Sequence, residues 1–274
     1  MLEDLDSAIA RADSLAPAEV EIKGSRFAVI SDIHANLEAL NAVLADIRQK
    51  GITEIVHLGD LVGYGPEPQA CIELSRQFTA NIAGNHDVGI YVKEVPEANM
   101  LARLSWEWTR TQIGQGGESF LKALPFKLRV RYQGRVFEAY HASPVPEKIF
   151  TDYLFPRRGK DPALFGAVES LCLVGHTHVP LVLIPTGVME PEHDTVLDLT
   201  TPEKKIINPG SVGQPRDGNR KASYLVVDGG HISYQRVGYD VRETQRKMLE
   251  RGVANIGASR CWTHLLADRL WLGR

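Results

Sequence analysis

The chain reads as an α/β protein built on two β-sheets, and three features of its 274 residues predict this. An amphipathic helical segment lies between two short β runs near the N-terminus, which is the signature of a βαβ crossover and of parallel pairing. The second half is dominated by β runs joined through tight turns, which predicts a second, more antiparallel sheet. Five apolar runs end in clusters of Asp, His or Asn: Phe27–Asn36, Glu54–Asp60, Asn81–Asp87, Phe137–Pro144 and Leu171–His178. Ligands in open α/β sheets gather beyond the carboxyl ends of the strands, so these clusters point to one convergent site.

In chain order, Leu2, Leu5 and Ile9 recur at helical spacing, which predicts a short helix over residues 1–15. Pro17–Gly24 reads as a connector. Phe27–Ile30 is a β run. The segment from Leu37 to Lys50 places Leu37, Leu40, Val43, Leu44 and Ile47 on one helical face, and Gly51 follows where a helix-ending glycine is favoured. Glu54–Leu58 is the next strand, Pro68–Phe78 a helix and Thr79–Ala83 a third strand. Asn99–Leu124 has helical composition interrupted by Gly114, Gly116 and Gly117, and its Trp106 and Trp108 read as helix packing, with a cap over the site as the alternative. Strands follow at Lys127–Tyr132, Arg135–Ala139, Leu171–Val174, Leu181–Ile184, Val196–Leu199, Lys205–Ile207, Ser223–Val227 and His231–Arg236. Asp240–Arg251 is a charged helix with a solvated face. The expected division is a helical extension and connector over 1–24, the main domain over 25–240 and a helical tail over 241–274.

Composition narrows the class. Hydrophobic residues make up 43% and charged residues 24%, with a net charge of −3. Nothing in that balance attracts nucleic acid or an anionic membrane, and an extended nucleic-acid surface is not expected. Three dispersed cysteines (Cys71, Cys172, Cys261) with no CxxC pair suit a reducing compartment. The acidic start lacks the basic and apolar regions of a secretory signal, and no run is long enough to span a bilayer. A cytoplasmic protein is expected.

The strand-end clusters hold the residue types that water-activating divalent metals require: imidazole nitrogens with carboxylate or amide oxygens. Asp32 and His34 lie two apart and can chelate one ion. Asp60 is placed to bridge two ions, Asn85 offers an amide oxygen, and His141 ends a fourth strand. His176 and His178 again lie two apart. These seven candidates suffice for two metals sharing a hydroxide, the clamp used in phosphoester hydrolysis. His57, His193, His231 and His264 fall outside the clusters and read as structural or surface residues, with His57 buried against a helix.

The series SDIH, GDLVGYG, GNHD, YHASP and GHTH resembles the calcineurin-like metallophosphoesterase superfamily, whose pattern is D-x-H, G-D-x-x, G-N-H-[DE], H and G-H-x-H in that order. The resemblance spans Phe27 to Val237 and is nearest to the small bacterial phosphodiesterase-type branch. It implies a four-layer α-β-β-α sandwich of two mainly mixed sheets flanked by helices. It implies one ion on Asp32, His34, Asp60 and His178 and a second on Asp60, Asn85, His141 and His176. It gives His86 the role of phosphate binder and general acid. Asp87 follows directly and is placed to orient it, and a metal-bridging hydroxide is the expected nucleophile. Manganese is the leading metal, with iron, zinc, nickel and cobalt as alternatives.

Asn36 and Tyr64, beside the metal motifs, are candidate substrate contacts. So is Arg216 or Arg220 in NPGSVGQPRDGNR, the alternative being a solvated arginine. A Ser/Thr protein phosphatase would show GDxVDRG and GNHE; Tyr64 stands where that arginine would fall. The expected substrate is a small phosphodiester or phosphomonoester, with a nucleotide or dinucleoside polyphosphate among the candidates. A non-catalytic scaffold is the competing class, and it sits poorly with a complete ligand set.

Overall fold

The computed structural model describes residues 2–14, 18–95, 98–156 and 161–253. The chain opens with α1 (Leu5–Ser14) and β1 (Ala18–Glu21), followed by β2 (Arg26–Ile30), α2 (Leu37–Gln49), β3 (Ile55–His57), α3 (Pro68–Ser75) and β4 (Ala80–Asn81). A single helical turn, α4 (Asn85–Val88), precedes α5 (Met100–Gln112) and α6 (Gln115–Ala123). Then come β5 (Lys127–Tyr132), β6 (Arg135–Tyr140), α7 (Pro162–Gly166), β7 (Leu171–Leu173), β8 (Pro180–Ile184), β9 (Gly187–Met189), β10 (Val196–Asp198), β11 (Lys205–Pro209), β12 (Ala222–Asp228), β13 (His231–Val237) and α8 (Val241–Glu250).

The strands form a six-stranded sheet in the order β10-β13-β12-β2-β3-β4 and a seven-stranded sheet in the order β1-β5-β6-β7-β11-β8-β9. Strand alternation sorts the side chains into layers. Phe27 and Val29 of β2 point into the core between the sheets, where they meet Leu128, Val130, Phe137 and Leu173 of the other sheet. Ala28 and Ile30 point the opposite way, into a core shared with Leu40, Val43 and Ile47 of α2 and Trp106 of α5. On the far side, Cys172 and Ile206 pack with Leu164 and Phe165 of α7. The result is four layers, helix–sheet–sheet–helix. Phe27 also ties the sheets through edge-on contacts with Tyr132 and Phe137, at ring separations of 5.1 and 5.8 Å.

Two expectations need correction. The stretch Pro17–Gly24 is not only a connector: β1 lies within it and pairs in parallel with β5. Its Glu19 and Glu21 face outward, Glu19 meeting Arg131, while Ala18 and Val20 pack on the inter-sheet core. The second sheet is also not the more antiparallel one. The β12–β13 hairpin joins the βαβ sheet, with β12 antiparallel to β2, while β6, β7 and β11 run parallel to one another in the other sheet. Each sheet therefore has three mutually parallel strands, β2-β3-β4 in one and β6-β7-β11 in the other.

The terminal helices pack on this body. Ala8 of α1 and Met248 of α8 are buried in the core over the six-stranded sheet. On α8, Lys247 pairs with both Glu38 and Glu67, fixing it to α2 and to the loop before α3. The expectations for residues 254–274, including Cys261 and His264, lie outside the described residues. Among those described, no helix is long and apolar enough to cross a membrane.

Candidate metal centre

The carboxyl ends of the two parallel triplets open at one edge of the sandwich, and the loops leaving them are stitched together by backbone hydrogen bonds. Asp32 N–H donates to Gly59 O, His34 N–H to Asp60 O, Gly175 N–H to His141 O and Gly213 N–H to Asp32 O, all between 2.7 and 3.0 Å. The ligand-bearing loops thus continue the ladder past the strand ends. Asp32, His34, Asp60, His176 and His178 all have φ between 48° and 67°, a left-handed conformation that side chains other than glycine adopt at a cost of about 1–3 kcal/mol each. Such strain persists only where surrounding structure imposes it. At Gly59 (φ +95°) an added Cβ would lie 2.6 Å from Gly84 N and 2.8 Å from His141 Nδ1, so only glycine lets the second and third loops close on the site.

Six of the seven residues expected from sequence form two groups that share Asp60. Asp32, His34, Asp60 and His178 make one, and Asp60, His141 and His176 the other, with the ligand atoms of each group within 4.8 Å of one another. The seventh, Asn85, places Oδ1 3.2 Å from His141 Nε2. Asp60 turns Oδ2 to both sides, 3.5 Å from His34 Nε2 and 3.3 Å from His141 Nε2, while its Oδ1 accepts from the backbone N–H of His86 at 2.8 Å. Asp32 Oδ1 lies 3.3 Å from His178 Nε2. All seven are buried.

The hydrogen bonds behind the imidazoles test whether this pocket suits a cation. His34 Nδ1 lies 3.2 Å from Val62 O, His141 Nδ1 2.8 Å from Leu58 O and His178 Nδ1 2.6 Å from Gln214 O. A carbonyl only accepts, so each Nδ1 carries a proton, and on His34 and His178, which burial keeps uncharged, Nε2 is left with a lone pair. The Nε2 atoms of His34 and His178 then face each other at 3.0 Å, lone pair to lone pair. His176 Nε2 is buried with no hydrogen-bond partner. Carbonyl-anchored imidazoles converging with carboxylates are the arrangement that orients histidines for a divalent metal, and the residues fit the group.

Burial pushes Asp32 up to about 7 and drives His34, His176 and His178 well below the ordinary histidine range. For His141 burial acts downward, but the Asp60 and Asp32 carboxylates outweigh it and raise the group to about 9.

A cleft of about 450 Å³ lies over the centre, lined among others by Asp60, Asn85, His86, Tyr64, Tyr153 and Arg216. Arg216 is the arginine that faces it. Its Nη2 donates to Gln214 Oε1 at 2.7 Å, and its Nε is buried without a partner. Arg220 is exposed. Tyr64 is buried between the rings of His34 and His86, at 4.9 and 4.3 Å. Val95, Ala98, Asn99 and Ala102 add a wall from the start of α5, so this helical segment does border the site as well as pack. Tyr153 was not singled out by sequence; its ring stands 4.2 Å from that of His176.

Two expected site residues have other work. Asn36 does not line the cleft: it caps α2 by accepting from Ala39 N–H and donates to Gly213 O at 2.8 Å. Asp87 does not orient His86. Its Oδ1 accepts from the backbone N–H groups of Leu61 and Val62, and its Oδ2 from that of Gly84, at 2.9–3.1 Å. It therefore ties the second ligand loop to the third, and burial followed by the nearby Asp60 pushes it up to about 7. The His86 ring instead receives a hydrogen bond from Trp106. His57 is buried on the helix side of β3 near Phe78, and burial lowers it to about 3. His193 and His231 are exposed.

Known proteins agree with this geometry. Residues 26–230 match the calcineurin-like phosphoesterase superfamily domain. An uncharacterized protein of Methanocaldococcus jannaschii is 39% identical over 254 residues, covering 91% of this chain and 99% of its own. A metallophosphoesterase from Sphaerobacter thermophilus superposes with a TM-score of 0.75 at 35% identity, covering 91% of this chain and 99% of that one. A hypothetical protein of Pyrococcus horikoshii shares the fold with a TM-score of 0.72 at 21% identity, over 91% of this chain and 98% of its own. In sequence, strand layout and the cluster at the strand ends, the chain belongs to the calcineurin-like phosphoesterase superfamily.

Proposed function

We propose that this protein is a di-metal phosphoesterase that hydrolyses a small phosphodiester or phosphomonoester, of the phosphodiesterase-type branch. The observation that carries the reading is the pair of imidazole lone pairs facing each other at 3.0 Å beside a carboxylate shared by two ligand groups. That arrangement is repulsive until a cation enters it. Asp32, His34, Asp60 and His178 would hold one ion, and Asp60, Asn85, His141 and His176 the other. Mixed nitrogen and oxygen donors suit Mn²⁺ first, with Fe, Zn²⁺, Ni²⁺ or Co²⁺ as alternatives. Two such ions supply a water of lowered pKa and neutralise the phosphate oxygens.

The protein's own groups do the rest. Arg216 lines the cleft with a guanidinium, a group suited to a phosphate oxygen. His86 lines the same cleft and contacts the phosphate. Burial lowers His86 to about 4, so at neutral pH the ring is uncharged, and we assign it to hydrogen bonding in preference to the general-acid step that the resemblance implies. Asp60 positions His86 through its backbone N–H.

We place the chemistry in residues 25–240 and the protein in the cytoplasm, where the free, buried Cys71 and Cys172 would stay reduced. The deciding experiment loads the purified protein with Mn²⁺ and compares aryl mono- and diesters, cyclic nucleotides and dinucleoside polyphosphates. Turnover of a diester above a monoester supports the diesterase assignment. A protein that binds no metal and stays inert on every substrate is the scaffold instead.

A further inference from the structure

Four imidazoles of the centre have a nitrogen held from behind, and they divide by what holds it. His34, His141 and His178 each turn Nδ1 to a backbone carbonyl, which commits a proton there and turns Nε2 toward the shared carboxylates. His86 turns Nδ1 to the indole N–H of Trp106, at 3.0 Å. Indole is a donor only, so His86 Nδ1 is the acceptor and the remaining ring proton sits on Nε2. His86 lines the cleft and Trp106 does not, which puts the ring edge opposite the indole on the substrate side. The same residue type thus turns Nε2 toward the ligand cluster three times and carries an Nε2–H once, by the choice of carbonyl or indole behind it.

We propose that Trp106 is a positioning residue that locks His86 in the Nε2–H tautomer and aims this N–H into the cleft as a donor to the substrate phosphate. The proposal rests on the phosphoesterase reading above for the identity of the acceptor, and on the structure for the tautomer.

Both partners are held too tightly to exchange roles. Each side chain is 3% exposed, and the rings cross at 76° with centroids 5.5 Å apart. The indole packs directly on the backbone of Gly89, where an added Cβ would lie 2.4 Å from the ring. Behind the imidazole, an added Cβ at Gly63 would lie 2.2 Å from His86 Nδ1. Arg110, one helical turn after Trp106, donates to Gly89 O and Ile90 O and so pins the end of α4 to α5. The donor on α5 and the acceptor on α4 therefore move as one unit.

The test has an arm that needs no turnover. In the full-length protein loaded with diamagnetic Zn²⁺ and labelled with ¹⁵N-histidine, the His86 resonances, identified by their absence in His86→Ala, are expected to show a protonated Nε2 and an unprotonated Nδ1. In Trp106→Phe this fixed pattern is expected to give way to mixed tautomers. A wild-type His86 protonated on Nδ1, or a pattern unchanged in Trp106→Phe, overturns the proposal, and the wild-type spectrum alone decides even if the variant does not fold.

The kinetic arm is a double-mutant cycle on an activated aryl phosphodiester. Trp106→Phe is expected to lower kcat by roughly tenfold, the effect of losing about one hydrogen bond, with metal content unchanged. In the His86→Ala background the same change is expected to cost less than about twofold. A full tenfold loss in that background shows that Trp106 acts on the structure and not through His86. If the wild type turns over no phosphoester, the functional reading fails while the tautomer result stands by itself.

Discussion

His34 and His178 meet through their Nε2 atoms at 3.0 Å, although each has its proton committed to a backbone carbonyl on the other side of the ring. The contact is repulsive as it stands, and a cation between the two rings would relieve it. The loops that carry the two residues leave β2 and β7, in different sheets, so an ion held by both would fasten one sheet to the other.

Metal should therefore stabilise the fold. A divalent ion at a hundred times its dissociation constant adds about 2.7 kcal/mol by mass action. Thermal melts in chelator and in Mn²⁺ should separate accordingly, and His178→Ala should remove most of the separation. Equal melts with and without metal would show that the residues bind none.

The gain from metal should grow with pH. Asp32 and His141 are raised above their unfolded values, to about 7 and about 9, so the metal-free fold holds extra protons. Their contribution is present below the unfolded values and is lost as pH rises through 7 and then 9. Metal must displace those same protons. The gap between metal-loaded and metal-free melting temperatures should widen from pH 6.5 to 9, with proton release seen in titrations run in buffers of different ionisation enthalpy.

Asp87 should behave as a structural residue. It accepts three backbone N–H groups from two loops, and Asp87→Ala leaves them without an acceptor at a cost on the order of 3 kcal/mol. Urea unfolding should show the loss. His86→Ala, in contrast, should keep metal and stability and lose most turnover. Normal stability with lost turnover in Asp87→Ala would restore the orienting role that its adjacency to His86 suggests.

The two arginines of the turn after β11 should separate cleanly. Arg216→Ala removes the guanidinium that faces the cleft and should raise KM by about tenfold, the value of one charged hydrogen bond. Arg220→Ala, at an exposed position, should leave KM and kcat within about twofold. Equal effects of the two would place the phosphate elsewhere.

Asn36→Ala should cost about 1 kcal/mol through the lost helix cap, with further loss from the freed Gly213 carbonyl. KM should change little. A rise in KM at unchanged stability would return Asn36 to the substrate.

The candidate metal ligands were legible because strand ends are local features. An apolar run stopping at Asp32 or Asp60 is visible in ten residues, and the βαβ unit around α2 fixes which end of the sheet those residues occupy. The edge strand β1 was not, because its Glu19 and Glu21 make a four-residue strand look like a polar connector until Arg131 is beside it. Likewise the β12–β13 hairpin reads the same in either sheet, and only the open edge of β2 decides where it joins.

What the sequence determined by itself was the candidate ligand set and the layered fold that gathers it, since both follow from short-range patterns of apolar runs and polar ends. What only the tertiary structure decided was the division of labour around that set. Asp87 and Trp106 stand one and twenty positions from His86, yet the neighbour ties down loops and the distant indole holds the ring. Direction of a side chain after a left-handed turn, and the identity of the group it meets from another helix, are long-range facts of packing that no local pattern carries.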